Sequence, residues 1–460
     1  MAEDVIEVRN PYDGEVVGAV PSCTADDVDR ACHAAAAALT RDDFVQHERA
    51  RVLERAADLL RERLDEFALT ICLEAGKPIR TARTEAARCV DTLTFAAVEA
   101  RRLTGETIPM DASESGAGKI AFALRVPIGV VAAITPFNFP LNLVAHKLAP
   151  AIAAGCPVVL KPASQTPLSA IRLVDLLVEA GLPRDWITVV TGSGGTIGDA
   201  LVGHDVPRMV TFTGSSDVGW GIPAKAPRKK VSLELGSNSA LIIETGCDLE
   251  AIAAKVKVAG FSHAGQSCIS TQRIYVHSSV HGDFLEAISA AVESLVVGDP
   301  RDKATDVGPL IAAGETERVA SWIKEAEADG ARVVTGGDVV DGLLTPTVVD
   351  GAPPDAKVCA KEVFGPVVTT TPYETFEDAL DLADAGPYGI HAGVYTDDLG
   401  KALLAARRLH VGGVLVNEVP TFRADQQPYG GVGESGNTRE GPRYAVEEMT
   451  ELRFVSLQSP

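Results

Sequence analysis

From Ile128 onward the chain repeats one pattern: a short apolar run without polar alternation, then a helical stretch, then another such run. The runs fall at 129–134, 157–160, 187–190, 209–213 and 231–235, with helices such as 141–154, stopped at Gly155, and 168–180, stopped by Gly181. A strand that is apolar on both sides must be covered on both sides, which calls for a parallel sheet between two helical layers. A second set follows at 240–243, 273–276, 367–371, 393–395 and 413–416. Two α/β units are therefore expected. The first is of a nucleotide-binding type, with its ligand at the carboxyl ends of the strands.

The first hundred or so residues read as helical. Residues 28–39 are rich in alanine, and 48–73 place Val52, Leu53, Ala56, Leu59, Leu60, Leu64 and Phe67 at the three-and-four spacing of one buried face. Gly76-Lys77-Pro78 ends that stretch, and another helix is expected over 82–102. Residues 113–123 and 452–457 read as strands that leave their parent unit.

Charge and cysteine usage limit the partners. Lys and Arg total 42 against 63 Asp and Glu, a formal net charge of −21, which works against sequence-independent binding to nucleic acid or an anionic membrane. No apolar run approaches the roughly eighteen residues of a membrane helix. Residues 1–10 lack the basic and apolar regions of a secretion signal, so a cytoplasmic protein is expected. None of the eight cysteines forms a CxxC pair or sits at zinc-ligand spacing near histidine, so no metal is expected.

The chemistry-bearing residues gather where the runs end. No GxGxxG follows an expected strand, and Gly192-Ser193-Gly194-Gly195 alone is a weak dinucleotide signal. Asn138 follows the first run, Lys161 the second, Thr213-Gly214-Ser215 closes another, and Glu234 ends the last of the first set. Glycine beside a hydroxyl at a helix start suits a pyrophosphate, because free N–H groups and the helix dipole face the anion. Cys268 lies in His263-Ala264-Gly265-Gln266-Ser267-Cys268-Ile269-Ser270, where small neighbours let backbone N–H groups approach a carbonyl under attack by the thiol.

Seven motifs occur in order: Pro136-Phe137-Asn138-Phe139-Pro140, Leu160-Lys161-Pro162, Phe212-Thr213-Gly214-Ser215, Leu233-Glu234-Leu235-Gly236, Gly265-Gln266-Ser267-Cys268, Lys361-Glu362-Val363-Phe364-Gly365-Pro366, and the ending from Pro428-Tyr429-Gly430-Gly431 to Glu448-Met449-Thr450-Glu451. Together they resemble the NAD(P)-dependent aldehyde dehydrogenase superfamily over essentially the whole chain. The resemblance implies a Rossmann-type cofactor domain (1–111 and 126–235), a catalytic α/β domain (236–425) and an oligomerisation extension (112–125 and 440–460). It implies Cys268 as the nucleophile, Asn138 and the Cys268 N–H as oxyanion donors, and Glu234 as the base that releases the acid. Lys161 would grip the adenine ribose, Gly192 would lie against the adenosine, Ser215 would hold the pyrophosphate and Glu362 the nicotinamide ribose. Phe364, Thr135, Pro136, Phe137, Thr213, Gly214 and Leu235 would line the same site.

Three residues after Lys161, NAD-preferring relatives often carry a glutamate; here Ser164 stands there. Its hydroxyl can donate to a 2′-phosphate while Lys161 pairs with it, so NADP is expected to be accepted, its preference over NAD left open and NAD still usable. The stretch around Arg423 resembles relatives acting on lactaldehyde, glyceraldehyde phosphate and phosphonoacetaldehyde. A small polar, anionic aldehyde is therefore expected, with His146, Arg423 and Arg102 as candidate substrate residues. Ser237, Asn238, Gly433 and Thr438 depart from the usual pattern without touching the chemical residues. Two alternatives remain: an acylating enzyme that passes its thioester to coenzyme A, which Glu234 argues against, and a silent homologue, which the intact trio Cys268, Asn138 and Glu234 argues against. Relatives form homodimers or homotetramers through strands near 119–122 and the C-terminus.

Overall fold

The computed structural model describes residues 5–41 and 43–458. The reading of residues 1–10 as lacking a signal, and the outer ends of the expected segments 1–111 and 440–460, fall partly on residues 1–4, 42 and 459–460, outside the described residues.

Each apolar run becomes a strand. Val131–Ile134, Val158–Lys161, Ile187–Val189, Met209–Thr213 and Lys230–Glu234 form a five-stranded sheet, all neighbours parallel. Its order is Ile187–Val189, Val158–Lys161, Val131–Ile134, Met209–Thr213, Lys230–Glu234. The first three strands in the sequence run outward in one direction and the last two in the other, so the chain reverses direction across the sheet beside Val131–Ile134. The helix Asn142–Ala154 is buried along its entire length and ends on Gly155, whose φ of 89° suits glycine.

The second sheet has seven strands in the order Arg332–Thr335, Thr347–Asp350, Val367–Tyr373, Thr271–His277, Ser239–Ile243, His391–Tyr395, Gly413–Val416. Only its first pair is antiparallel. That pair was not expected from the sequence, because Arg332–Thr335 is an edge strand with no buried residue. Thr450–Gln458 pairs antiparallel with Lys119–Pro127, which also pairs with Glu106–Ile108. Among the described residues no helix is long and apolar enough to cross a membrane.

Two expectations about the first hundred residues are corrected. Residues 48–73 are two helices, Gln46–Glu62 and Leu64–Ala75, because Arg63 leaves helical geometry at φ −114° and ψ 24°. Both pack on the long helix Ile79–Arg102, so the apolar spacing runs through the break: periodicity reports the shared buried face, not an unbroken backbone. The hairpin Val5–Arg9 with Val16–Pro21 was missed because only Val8 and Val20 are buried in it, too few to show alternation.

Candidate active site

The reversal in strand order opens a crevice at the carboxyl ends of Val131–Ile134 and Met209–Thr213, the place where open α/β sheets take ligands. The expected cofactor residues collect there. Thr135 N–H donates to the Lys161 carbonyl at 3.1 Å. The Thr135 and Thr213 hydroxyls are buried without partners. The Lys161 ammonium is buried, which lowers its pKa, and makes one bond, 3.2 Å to the Pro162 carbonyl. Gly192 has φ 145°, and Ser215 begins the short helix Ser216–Gly219. From the second sheet's side, Phe364 meets Phe137 edge to face at 5.8 Å. Beside it the half-buried Glu362 carboxylate accepts the Ser237 N–H at 2.9 Å, and desolvation pushes its pKa up to about 7. Unpartnered hydroxyls, a spare ammonium and a glycine turn at strand ends fit a dinucleotide. Pro136, Gly214 and Leu235 belong to the same loops; Gly214 N–H donates to the Glu234 carbonyl and Leu235 N–H to that of Ser435.

One expectation changes here. The Ser164 hydroxyl donates to the Gly192 carbonyl at 2.7 Å, so its proton serves the turn, and only its lone pairs face outward. The Lys161 ammonium, with its single bond to the Pro162 carbonyl, keeps donors to spare beside that turn.

Cys268 precedes the strand Thr271–His277 at the end of a tight loop. Its neighbours His263 and Ala264 hold φ of 49° and 53°, and Gly265 has φ 70° with the Gly365 carbonyl where a Cβ would stand. Gln266 anchors the loop, donating to the His263 carbonyl at 3.1 Å and accepting the Ile311 N–H at 2.9 Å. The Asn138 amide donates to the Gln266 carbonyl at 2.9 Å, which joins the two sheets' loops and leaves its second N–H free. The half-buried Cys268 has its Sγ 2.9 Å from the Tyr429 hydroxyl. Desolvation pushes the thiol up to about 12, with Tyr429 and Arg423 pulling the other way.

Glu234 ends its strand fully enclosed, and neither carboxylate oxygen has a partner. Burial, then Glu440, push its pKa well above the carboxylate range against Arg423, Lys147 and Arg439. The chain passes close by at Gly430, where a Cβ would lie 2.5 Å from Glu234 Oε1. An unpaired buried carboxyl with a raised pKa is suited to accept a proton.

Behind these residues lies a buried charge cluster that the sequence reading largely missed. Glu440 accepts from Arg423 at 3.0 Å and from Lys147 at 3.2 Å, which helps hold its own pKa down to about 2 despite burial. Asp425 accepts from Arg88 at 2.8 Å and from Asn142 at 3.1 Å, with His146 Nε2 at 3.0 Å. Arg423 is thus no surface arginine: its side chain is 6% exposed, and its Nε has no partner. His146 is enclosed between Asp425 and Arg423, so it supports these groups and does not present an open ring. Arg102 is corrected outright. It sits exposed at the last turn of Ile79–Arg102 beside Glu99, about 21 Å along the helix from Arg88, which does reach the cluster. No spacing rule links Arg88, Lys147, Asp425 and Glu440; Tyr429 was visible only as part of the Pro428–Gly431 motif.

The loop bearing Asn138 is clamped from outside. Glu85 accepts the N–H groups of Leu141 and Asn142 at 3.0 and 3.1 Å and pairs with Lys77, whose ammonium lies 3.7 Å from the centre of the Phe139 ring.

The aldehyde dehydrogenase family model matches residues 1–455. The chain belongs to that family. It is 46% identical over 452 residues to the 3-sulfolactaldehyde dehydrogenase of Priestia aryabhattai, covering 98% of this chain and 94% of that protein. Aldehyde dehydrogenase 21 of Physcomitrella patens, solved with the reaction product succinate, superposes with a TM-score of 0.96 at 39% identity, covering 99% of this chain and 95% of that one. Glyceraldehyde-3-phosphate dehydrogenase of Methanocaldococcus jannaschii, complexed with NADP, gives 0.94 at 36% identity, covering 99% of both chains. This aldehyde dehydrogenase is an oxidoreductase that oxidises aldehydes with NAD or NADP.

Removing Glu85 would strand the Lys77 charge and uncap the helix that follows Asn138. Glu85→Ala is expected to lose about 3–5 kcal/mol of stability in urea unfolding. An unchanged midpoint would show that the clamp is not structural.

Proposed function

We propose that this enzyme oxidises a short, hydrophilic, anionic aldehyde to its carboxylic acid. The observation that carries the anionic class is the unpartnered buried Nε of Arg423. That arginine stacks on Tyr429, which touches the nucleophile. Around it three cations, Arg88, Lys147 and Arg423, face two carboxylates that pair with them, Asp425 and Glu440. That unpartnered Arg423 N–H is a local donor for an anion in a chain whose net charge is −21. Similar proteins are named for sulfolactaldehyde and lactaldehyde, and one neighbour was solved with succinate.

In this reading Cys268 attacks the aldehyde carbon, and the free Asn138 N–H and the Cys268 backbone N–H hold the oxyanion, each donor contributing about 3 kcal/mol. Lys161, Ser215, Glu362 and Phe364 would hold a dinucleotide, with Thr135, Thr213 and the Gly192 turn against it, and its nicotinamide would supply the hydride acceptor. Glu234 then takes a proton from water, which cleaves the Cys268 thioester. An available carboxylate base supports hydrolysis over transfer to coenzyme A. We also infer the division into a cofactor domain (1–111 and 126–235), a catalytic domain (236–425) and an extension (112–125 and 440–460). Exposed Ile120, Leu124, Leu452, Phe454 and Leu457 on the three-stranded sheet support its use in a homodimer or homotetramer. Cysteines free of disulfides suit a cytoplasmic setting.

Four measurements check this reading. Glu234→Gln is expected to release one equivalent of reduced cofactor per site in a burst and then stall, with the acid withheld whether or not coenzyme A is added. In the parent, kcat should fall with decreasing pH well above the usual carboxylate range, because a group with a raised pKa is protonated, and lost as a base, earlier on acidification. Steady turnover by the variant would remove the base from the mechanism. Arg423→Ala should lower kcat/KM for succinate semialdehyde relative to hexanal by about tenfold or more; an unchanged ratio would sink the anionic class. NADP should be used with kcat/KM within a hundredfold of NAD, and a larger deficit would overturn the assignment of Lys161 to the 2′-phosphate.

A further inference from the structure

The reaction as written gives Tyr429 no task, yet its hydroxyl is the hydrogen-bond partner of the nucleophile, with Oη 2.9 Å from Cys268 Sγ. The phenol ring is held rigidly. It is buried, it meets His391 edge to face at 5.2 Å, and the Arg423 guanidinium lies on its face, 3.6 Å from the ring centre. Arg423 is in turn fixed by Glu440. The charged and titratable groups facing the thiol are Tyr429, Arg423, Glu362 and Glu234; those facing the phenol are Cys268, Arg423, Glu234 and His391. Desolvation and the two carboxylates favour the neutral thiol, and only Tyr429 and Arg423 favour the thiolate.

We propose, resting on the aldehyde-oxidising reading above, that the Tyr429 hydroxyl is the donor that stabilises the Cys268 thiolate, with its strength as a donor raised by the Arg423 cation on the ring face. At rest the thiol S–H donates to Oη. When the S–H bond breaks, its proton leaves to water at the half-buried sulfur, and the phenol O–H turns about its C–O bond to donate to the sulfur. The phenol keeps its own proton throughout, because burial and the neighbouring Cys268 hold its ionisation far above the usual range. The sulfur lone pair then forms the C–S bond, and the carbonyl electron pair moves onto the oxygen held by Asn138. A hydrogen bond to an ionised acceptor is about twice as strong as one between neutral groups, so this contact favours the reactive state over the resting one.

The test is alkylation by iodoacetamide across pH, without aldehyde or cofactor, with Cys268→Ala protein subtracting the other thiols. Losing the donor in Tyr429→Phe should move the pH dependence of alkylation to higher pH by about one pKa unit, tenfold in thiolate fraction. A more basic thiolate is more nucleophilic, with a Brønsted slope of about 0.4–0.5, so the net slowing at pH 7 is about threefold. Melting temperature and cofactor affinity should stay at parent values. A pH profile superimposable on the parent's overturns the proposal. If Tyr429→Phe does not fold, Arg423→Lys retains the hydroxyl but weakens the stacked cation. A smaller shift in the same direction then supports the proposal, and no shift overturns it. A protein that shows the Tyr429 effect but oxidises no aldehyde would overturn the proposed function and leave the thiolate contact standing.

Discussion

Glu440 accepts from Lys147 on one side and Arg423 on the other, and the geometry of the candidate site hangs on that shared carboxylate. Each buried ion costs several kcal/mol in lost hydration, recovered only where a partner of opposite charge stands in good geometry. Lys147 belongs to the wholly buried helix beside the cofactor sheet; Arg423 and Glu440 belong to the C-terminal loops. The two regions therefore cannot move apart without stranding charges. Asp425 makes a second such join, taking Arg88 from the long N-terminal helix and His146 from the buried one. With Arg423 pinned, the ring of Tyr429 is pinned beneath it, and with that ring the surroundings of Cys268.

A second constraint is how closely the two sheets' loops approach. Asn138 and Glu234 lie at the carboxyl ends of strands in one sheet, and Cys268 at the start of a strand in the other. Asn138 bridges them through the Gln266 carbonyl. That approach leaves no room for side chains at Gly265 or Gly430, where a Cβ would meet the Gly365 carbonyl and the Glu234 carboxylate. The left-handed φ at His263, Ala264 and Phe364 is a cost of about 1–3 kcal/mol each that the surrounding packing sustains. Strain of this kind collects where side chains must be held for chemistry.

The sheets were legible because burial on both faces leaves an unmistakable apolar run, as at Val158–Lys161 and Met209–Thr213. The edge strand Arg332–Thr335 and the N-terminal hairpin were not, because strands with few buried residues carry no such signature. The residues proposed for the chemical steps were readable as motifs, since each lies in its own short run beside a strand. The charge cluster was not: Lys147 and Glu440 are 293 residues apart, and nothing local to either announces the other. Arg102 shows the converse. An arginine taken as a substrate candidate sits exposed at the far end of its helix, while Arg88 on the same helix pairs with Asp425. Ser164 was singled out by position, but its hydroxyl donates to the Gly192 carbonyl, a choice that only the folded loop determines.

The antiparallel pairing of Thr450–Gln458 with Lys119–Pro127 also bears on how the molecule comes to life. During synthesis the cofactor sheet, complete by Glu234, leaves the ribosome long before Tyr429, Glu440 and the final strand. Contacts between such distant stretches form slowly, because a long loop must close before they reward the chain. A nascent molecule can thus complete its first parallel sheet while Cys268 still lacks Tyr429 and the charges around it. The surroundings of that thiol are finished last, by the tail of the chain.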